Sequence, residues 1–189
     1  MATSPTFSHV VFMTRRFEEM KAWYMNVFGA EVVHGDPALV FLTYDDESHR
    51  FAIANLDVLK PETPADSGRG EIGVNHIAYT YGSAADLLET YDRLRQQGLT
   101  PYWPVHHGFT LSFYYLDPDG NRIELQVETC NSRDAFDFMR SEAFASNPVG
   151  VAVDPDALLA RYRAGAGNAE LTARPEGDPS PIPEAHGLV

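Results

Sequence analysis

The chain has a single cysteine, Cys130, so no disulfide can close within it and a reducing compartment is expected. A lone thiol of this kind is read as structural rather than catalytic. No stretch approaches the roughly 18 uninterrupted apolar residues of a membrane helix. The opening Met1-Ala-Thr-Ser-Pro also lacks the basic and apolar regions of a signal peptide, so the expected location is the cytoplasm. Cations are scarce: 14 Lys plus Arg stand against 27 Asp plus Glu, a net charge of −13, and they form no basic stripe. Phosphate backbones and anionic lipid are repelled, which argues against nucleic acid and membrane surfaces as partners. What is present is apolar and aromatic. At 44% hydrophobic and 12% aromatic residues, the 189-residue chain can bury one core, either of one domain or of two small modules sharing it. Seven histidines supply the side chain most often used as metal ligand and as proton shuttle near neutrality.

The apolar periodicity describes one unit twice. Strand Ser8–Met13 leads to helix Phe17–Phe28, whose Phe17, Met20, Tyr24, Val27 and Phe28 share a face and whose end is marked by Gly29. Strands Glu31–His34, Leu39–Tyr44 and Arg50–Asn55 follow. The second unit runs from strand Gly73–Tyr79 to helix Ala84–Gln97, with Ser83 as N-cap and Gly98 as stop. Strands Thr100–Trp103, Leu111–Leu116 and Arg122–Glu128 complete it, the last two joined by the turn string Asp117-Pro-Asp-Gly-Asn121. Overlaying 39–53 on 111–125 puts Tyr44 over Leu116, Arg50 over Arg122 and Ala52 over Glu124. The expected fold class is α+β: two βαβββ modules, about 7–57 and 73–128, whose half-buried sheets form a shared, open, barrel-like cavity. Lys60–Gly70 reads as a linker between them. Residues 1–130 would form this domain and 131–189 an extension, with short helices at Ser132–Ala143 and Pro155–Arg163. A Pro/Gly-rich tail, Arg174–Val189, would lie over the surface, cover a pocket mouth or touch a partner; a homo-oligomer is compatible with this.

His9 and His76 occupy the same place in the two units, near the start of the opening strand. In Arg122-Ile-Glu-Leu-Gln-Val, alternation sets Glu124 and Gln126 on the face opposite Ile123, Leu125 and Val127. Each residue alone has an ordinary reading, a hydrogen-bonded core histidine or an exposed strand carboxylate. Together, at equivalent positions of two pseudo-symmetric modules, His9, His76 and Glu124 are candidate ligands of one divalent ion. Two imidazoles and a carboxylate with open positions suit Fe(II), though Mn(II), Zn(II) and Ni(II) accept the same donors. Ala52, standing where a fourth ligand would be, leaves room for substrate or water.

The paired modules, these three residues and the run Leu111-Ser-Phe-Tyr-Tyr-Leu-Asp-Pro-Asp-Gly-Asn-Arg-Ile-Glu-Leu resemble the vicinal oxygen chelate superfamily. That superfamily includes glyoxalase I, fosfomycin and bleomycin resistance proteins and extradiol catechol dioxygenases. The resemblance covers about residues 7–128. Glyoxalase-type sites take a fourth ligand where Ala52 stands, so the resemblance implies an extradiol dioxygenase. Such an enzyme works on a small aromatic diol with O2 and holds Fe(II), with Mn(II) as the other candidate. A glyoxalase-like isomerase or lyase and a non-catalytic drug-binding protein are the alternatives. The same resemblance assigns the acid–base role to His49, which opens His-Arg-Phe-Ala-Ile-Ala and is otherwise a surface histidine in a hairpin. It assigns hydrogen-bonding roles at the substrate to His107 and Tyr114, with His106 and Tyr115 as their rivals. Trp103, Phe109 and Phe113 are candidates for an apolar wall or, equally, for ordinary strand core.

Overall fold

The computed structural model describes residues 7, 9–46, 49–61 and 76–187, with the backbone alone at 132 and 136. Ser8, the linker from Glu62 to Gly70 and the expected strand start at Gly73–Asn75 lie outside the described residues. Two compact units emerge, one of residues 1–73 with 117–120 and one of 74–116 with 121–189. The 131–189 extension thus belongs to the same compact unit as the second module.

In the first unit β1 (Val10–Thr14), α1 (Phe17–Phe28), β2 (Glu31–Gly35), β3 (Leu39–Thr43), β4 (Phe51–Asn55) and α2 (Leu56–Leu59) follow in order. The sheet runs β1-β4-β3-β2, with β1 parallel to β4 and the other pairs antiparallel. Helix α1 forms over the expected residues and buries Phe17, Met20, Trp23, Tyr24 and Val27, ending at Gly29 in the left-handed region at φ 64°. Tyr24 is completely buried between Phe12 and Phe51, and its hydroxyl donates to Asp117 Oδ2 at 3.1 Å, which satisfies the polar end of a large apolar side chain.

The second unit contains β5 (His76–Tyr81), α3 (Ala84–Arg95), β6 (Trp103–His106), β7 (Thr110–Leu116) and β8 (Arg122–Glu128). It continues through α4 (Ser132–Met139), α5 (Glu142–Ser146), β9 (Val151–Ala152), α6 (Pro155–Arg163), α7 (Asn168–Leu171) and a 3₁₀ turn at Glu184–His186. Its sheet order, β5-β8-β7-β6-β9, reproduces that of the first unit and adds β9 at the edge. Both sheets are mixed, and neither closes into a barrel among the described residues. The N-cap at Ser83 is as expected, its hydroxyl accepting from Asp86 N at 3.2 Å. Strand β6 starts three residues later than the expected Thr100, because it is Trp103 and Val105 that bury themselves against the sheet partner β7.

The sequence overlay holds on β4 and β8 but slips by one on the strands before them. Ala52 pairs with Phe41, whereas Glu124 pairs with Tyr114, so Phe41 is the counterpart of Tyr114 and not of Phe113. The first hairpin is one residue longer than the second. With a side-chain period of two, a shift of one residue reverses which face a strand position occupies. Phe113 accordingly points away from Glu124, completely buried at 5.6 Å from the Tyr91 ring of α3. It belongs to the helix-side core and not to the apolar wall considered above.

The extension is tied down at both ends. Tyr91 donates to Asp156 at 2.9 Å, Arg163 pairs with Asp92 at 2.6 Å, and Ala84 N donates to Asn168 Oδ1 at 2.9 Å, docking α6 and α7 on α3. Most of the last segment is exposed or half-buried, with Ser180 and His186 buried as its anchors. Among the described residues no helix is long and apolar enough to cross a membrane.

Candidate active site

The face of the second sheet opposite α3 collects the polar side chains. Parallel pairing of β5 with β8 sets His76 opposite Arg122, and antiparallel pairing of β7 with β8 sets Tyr114 opposite Glu124, so alternation brings His76, Glu124 and Tyr114 to one side. His76 Nε2 lies 3.2 Å from Glu124 Oε2. Glu124 is 95% covered, as its relative exposure of 5% records. Burial by itself pushes its carboxyl up, but hydrogen bonds with His76, Ser112 and Tyr114 outweigh it and hold the group below the ordinary carboxylate range. The carboxylate is therefore an anion aimed at an imidazole, a donor pair whose chemistry fits a divalent ion.

His107 reaches the same site from the end of β6. Its Nδ1 is 2.6 Å from the carbonyl of Val149, which can only accept, so Nδ1 carries the proton and Nε2 faces the Tyr114 hydroxyl at 3.1 Å. Burial pushes the His107 pKa down, favouring the neutral ring. Burial and the Glu124 charge push the Tyr114 phenol up, so it stays protonated. The Tyr114 hydroxyl thus stands between two acceptors, His107 Nε2 and the Glu124 carboxylate, and can donate to either one.

The members of the two rival pairs lie on different sides of the sheet or bond to different partners. His106 is tied elsewhere: its Nε2 donates to Thr172 O at 3.0 Å and its Nδ1 accepts from Gly108 N at 3.0 Å, so it pins the extension to β6. Tyr115 points to the helix side, buried, and its hydroxyl finds no partner among the described residues. Trp103 does stand on the site face, stacked on Tyr114 at 5.1 Å and 26°, and Phe109 approaches His107 at 6.4 Å.

His9 and His49 belong to the first unit. Val10 N donates to Arg50 O at 3.0 Å, and Arg50 Nη1 donates to Phe7 O at 2.7 Å. These bonds place His9 beside Arg50 as His76 stands beside Arg122. The His9 and His49 rings are 4.4 Å apart, and His49 meets Phe41 edge-on at 5.0 Å. Ala52, 2% exposed, occupies the sheet position that Glu124 holds in the second unit. Among the described residues no group of three or more His, Cys, Asp or Glu side chains stands together to hold an ion; the second unit brings together two of the three candidate ligands.

One tyrosine, Tyr102, and one histidine escaped the sequence reading. His186, from the 3₁₀ turn, is 3% exposed, with its ring centre 5.0 Å from Tyr114 and 5.7 Å from His76. Burial drives its pKa down to about 4. Tyr102 bonds its Nδ1 at 3.0 Å, and the Trp103 ring lies 4.6 Å away. A histidine three residues from the end of a Pro-rich tail carries no periodicity that could have marked it.

The chain is similar to known proteins in sequence and in fold. Residues 6–125 match the family model described as Glyoxalase/Bleomycin resistance protein/Dioxygenase superfamily. Biphenyl-2,3-diol 1,2-dioxygenase 2 of Rhodococcus globerulus is 42% identical over 157 residues, covering 82% of this chain and 80% of that protein. Biphenyl-2,3-diol 1,2-dioxygenase 3 of the same organism is 38% identical over 177 residues, covering 92% and 90%. Among solved structures, a lactoylglutathione lyase from Agrobacterium tumefaciens superposes with a TM-score of 0.53 at 18% identity, over 67% of this chain and 96% of that one, a likeness of fold alone. With the repeated sheets, the shared face of His76, Glu124 and Tyr114 and a family match over most of its length, the chain belongs to the Glyoxalase/Bleomycin resistance protein/Dioxygenase superfamily.

Proposed function

We propose that this protein is a metal-dependent extradiol dioxygenase that opens the ring of a catechol-type diol with O2, acting in the cytoplasm. The observation that carries the reading is the row His76, Glu124, Tyr114 and His107 on one sheet face, found in a chain 38–42% identical to two biphenyl-2,3-diol dioxygenases. The reaction cleaves the ring C–C bond beside the diol and incorporates both oxygen atoms, so atoms and electrons balance without a further reductant. His9, His76 and Glu124 would hold the ion, Fe(II) first and Mn(II) second. Such an ion supplies Lewis acidity toward the diol and one-electron chemistry toward dioxygen.

The chain's own groups handle protons and position. His49 takes the proton of one diol hydroxyl and returns it later, a role for an imidazole, which can both accept and donate a proton. Tyr114, its phenol kept protonated by burial and by Glu124, donates to a substrate oxygen, with His107 Nε2 behind it as the alternative acceptor. Ala52 supports the dioxygenase over a glyoxalase-like isomerase, because a carboxylate there would fill a coordination position.

The test is anaerobic reconstitution with Fe(II) or Mn(II), then catechol, 3-methylcatechol or 2,3-dihydroxybiphenyl with oxygen. A yellow ring-cleavage product and stoichiometric oxygen uptake are expected. If none of the diols consumes oxygen, the assignment is wrong. His76→Ala is expected to lose the metal. His49→Gln is expected to keep metal and substrate binding while turnover falls by roughly 10²–10⁴, and loss of metal from this variant would instead place His49 among the ligands.

A further inference from the structure

The segment from Ser180 to Gly187 is held against the site face by three hydrogen bonds. Trp103 Nε1 donates to Ser180 Oγ at 3.0 Å, Arg122 Nε donates to Ala185 O at 2.6 Å, and Tyr102 bonds His186 Nδ1 at 3.0 Å. Gly187 sits at φ 69°, where a Cβ would come within 2.3 Å of the Arg122 guanidinium. Half-buried Ile182 packs on the cluster of Trp103, Val105 and Tyr114, so the apolar seam is sealed without any histidine. A buried imidazole needs polar partners and is an expensive way to seal such a seam. His186 is nonetheless buried between Trp103, Tyr114 and His76, at ring distances of 4.6, 5.0 and 5.7 Å. The 3₁₀ turn thus sets an imidazole in direct contact with two side chains of the candidate site, and its ring offers a flat, partly apolar surface at the edge of that site.

We propose that this C-terminal strap forms part of the substrate pocket and that His186 is a specificity-determining residue, the wall against which a bound aromatic diol lies beside His76 and Tyr114. The inference rests on the dioxygenase reading for the class of its ligand. It gives the extension a task in the site, since its anchors on Trp103, Tyr102 and Arg122 all lie on or next to the strands that carry Tyr114 and Glu124.

The experiment uses full-length, metal-loaded protein and three variants: His186→Ala, His186→Phe and Gly187→Ala. Anaerobic absorbance titration with 4-nitrocatechol reads binding without turnover. Oxygen uptake on catechol and 2,3-dihydroxybiphenyl reads the ratio of kcat/KM for the large and small diols, and metal content is measured alongside. His186→Ala is expected to weaken 4-nitrocatechol about tenfold at unchanged metal content and to raise the large-to-small ratio about fivefold, the scale of a lost pocket contact. His186→Phe, which refills the space, should lower the ratio and serves as the test if the alanine variant does not fold. Gly187→Ala should move in the direction of His186→Ala, because it loosens the strap and leaves every pocket side chain in place. Binding and ratio within twofold of wild type in both His186 variants would overturn the proposal, as would metal content falling in step with binding or failure of the wild type to bind 4-nitrocatechol. Binding that depends on His186 in a protein that consumes no oxygen would uphold the pocket assignment and sink the dioxygenase reading.

Discussion

At the scale of residues, this protein keeps several titratable groups in the state that suits an aromatic site rather than the one water would impose. Burial lowers the pKa of His106, His107 and His186, the last to about 4, while the hydrogen bonds around Glu124 lower that of the carboxylate despite its burial. An imidazole whose folded pKa lies below its unfolded value of about 6.5 is protonated first in the unfolded chain. Its contribution is complete above that pH and is lost as the pH falls toward the folded value; Glu124 adds a loss of the same sign at lower pH. The urea midpoint of the metal-free protein is therefore expected to fall steadily between pH 7.5 and pH 5, and His106→Gln is expected to flatten part of that slope. An unchanged midpoint over that interval would contradict the burial argument. The sequence marked His76 and Glu124 through the repeat and strand alternation, which are local signals, and His107 and Tyr114 only through the family resemblance. It could not choose between His106 and His107, since both stand at the end of β6 and only the carbonyls of Thr172 and Val149, 66 and 42 residues away, decide which ring turns inward.

At the scale of elements, adjacent residues on one strand make opposite predictions. Tyr114 and Tyr115 differ by one step of β7, and the pleat sends the first to Glu124 and the second to the helix side. Tyr114→Phe removes the hydroxyl that can donate to Glu124 or His107, and oxygen uptake is expected to fall by roughly 10²-fold or more with metal content retained. Tyr115→Phe removes a buried hydroxyl that has no partner among the described residues, so stability should hold or rise by about 1 kcal/mol with activity unchanged. Calorimetry and oxygen uptake on the two variants separate these outcomes, and a Tyr115→Phe enzyme as inactive as Tyr114→Phe would mean the face assignment is wrong. The helices were legible because Phe17–Phe28 has a clean 3.6-residue apolar face and a glycine stop. The repeat was legible on β4 and β8, but the register of β3 was not. An extra residue in a hairpin leaves the apolar composition intact while moving each side chain to the other face.

At the scale of the whole molecule, an ion held by the proposed ligands binds the folded chain and not the unfolded one, so it stabilises the fold by mass action. Removing it with a chelator is expected to lower the thermal midpoint, and restoring Fe(II) or Mn(II) in stoichiometric amount should recover it; a midpoint indifferent to both would argue against a bound ion. Net charge, the single cysteine, the doubled βαβββ plan and the family likeness were available to the sequence alone, because composition and local periodicity express them directly. The docking of the extension on the second unit and the burial of His186 beside His76 were decided only by tertiary structure. Both depend on contacts between segments many tens of residues apart, such as Trp103 with Ser180 and Tyr102 with His186, whose favourable geometry no local pattern encodes.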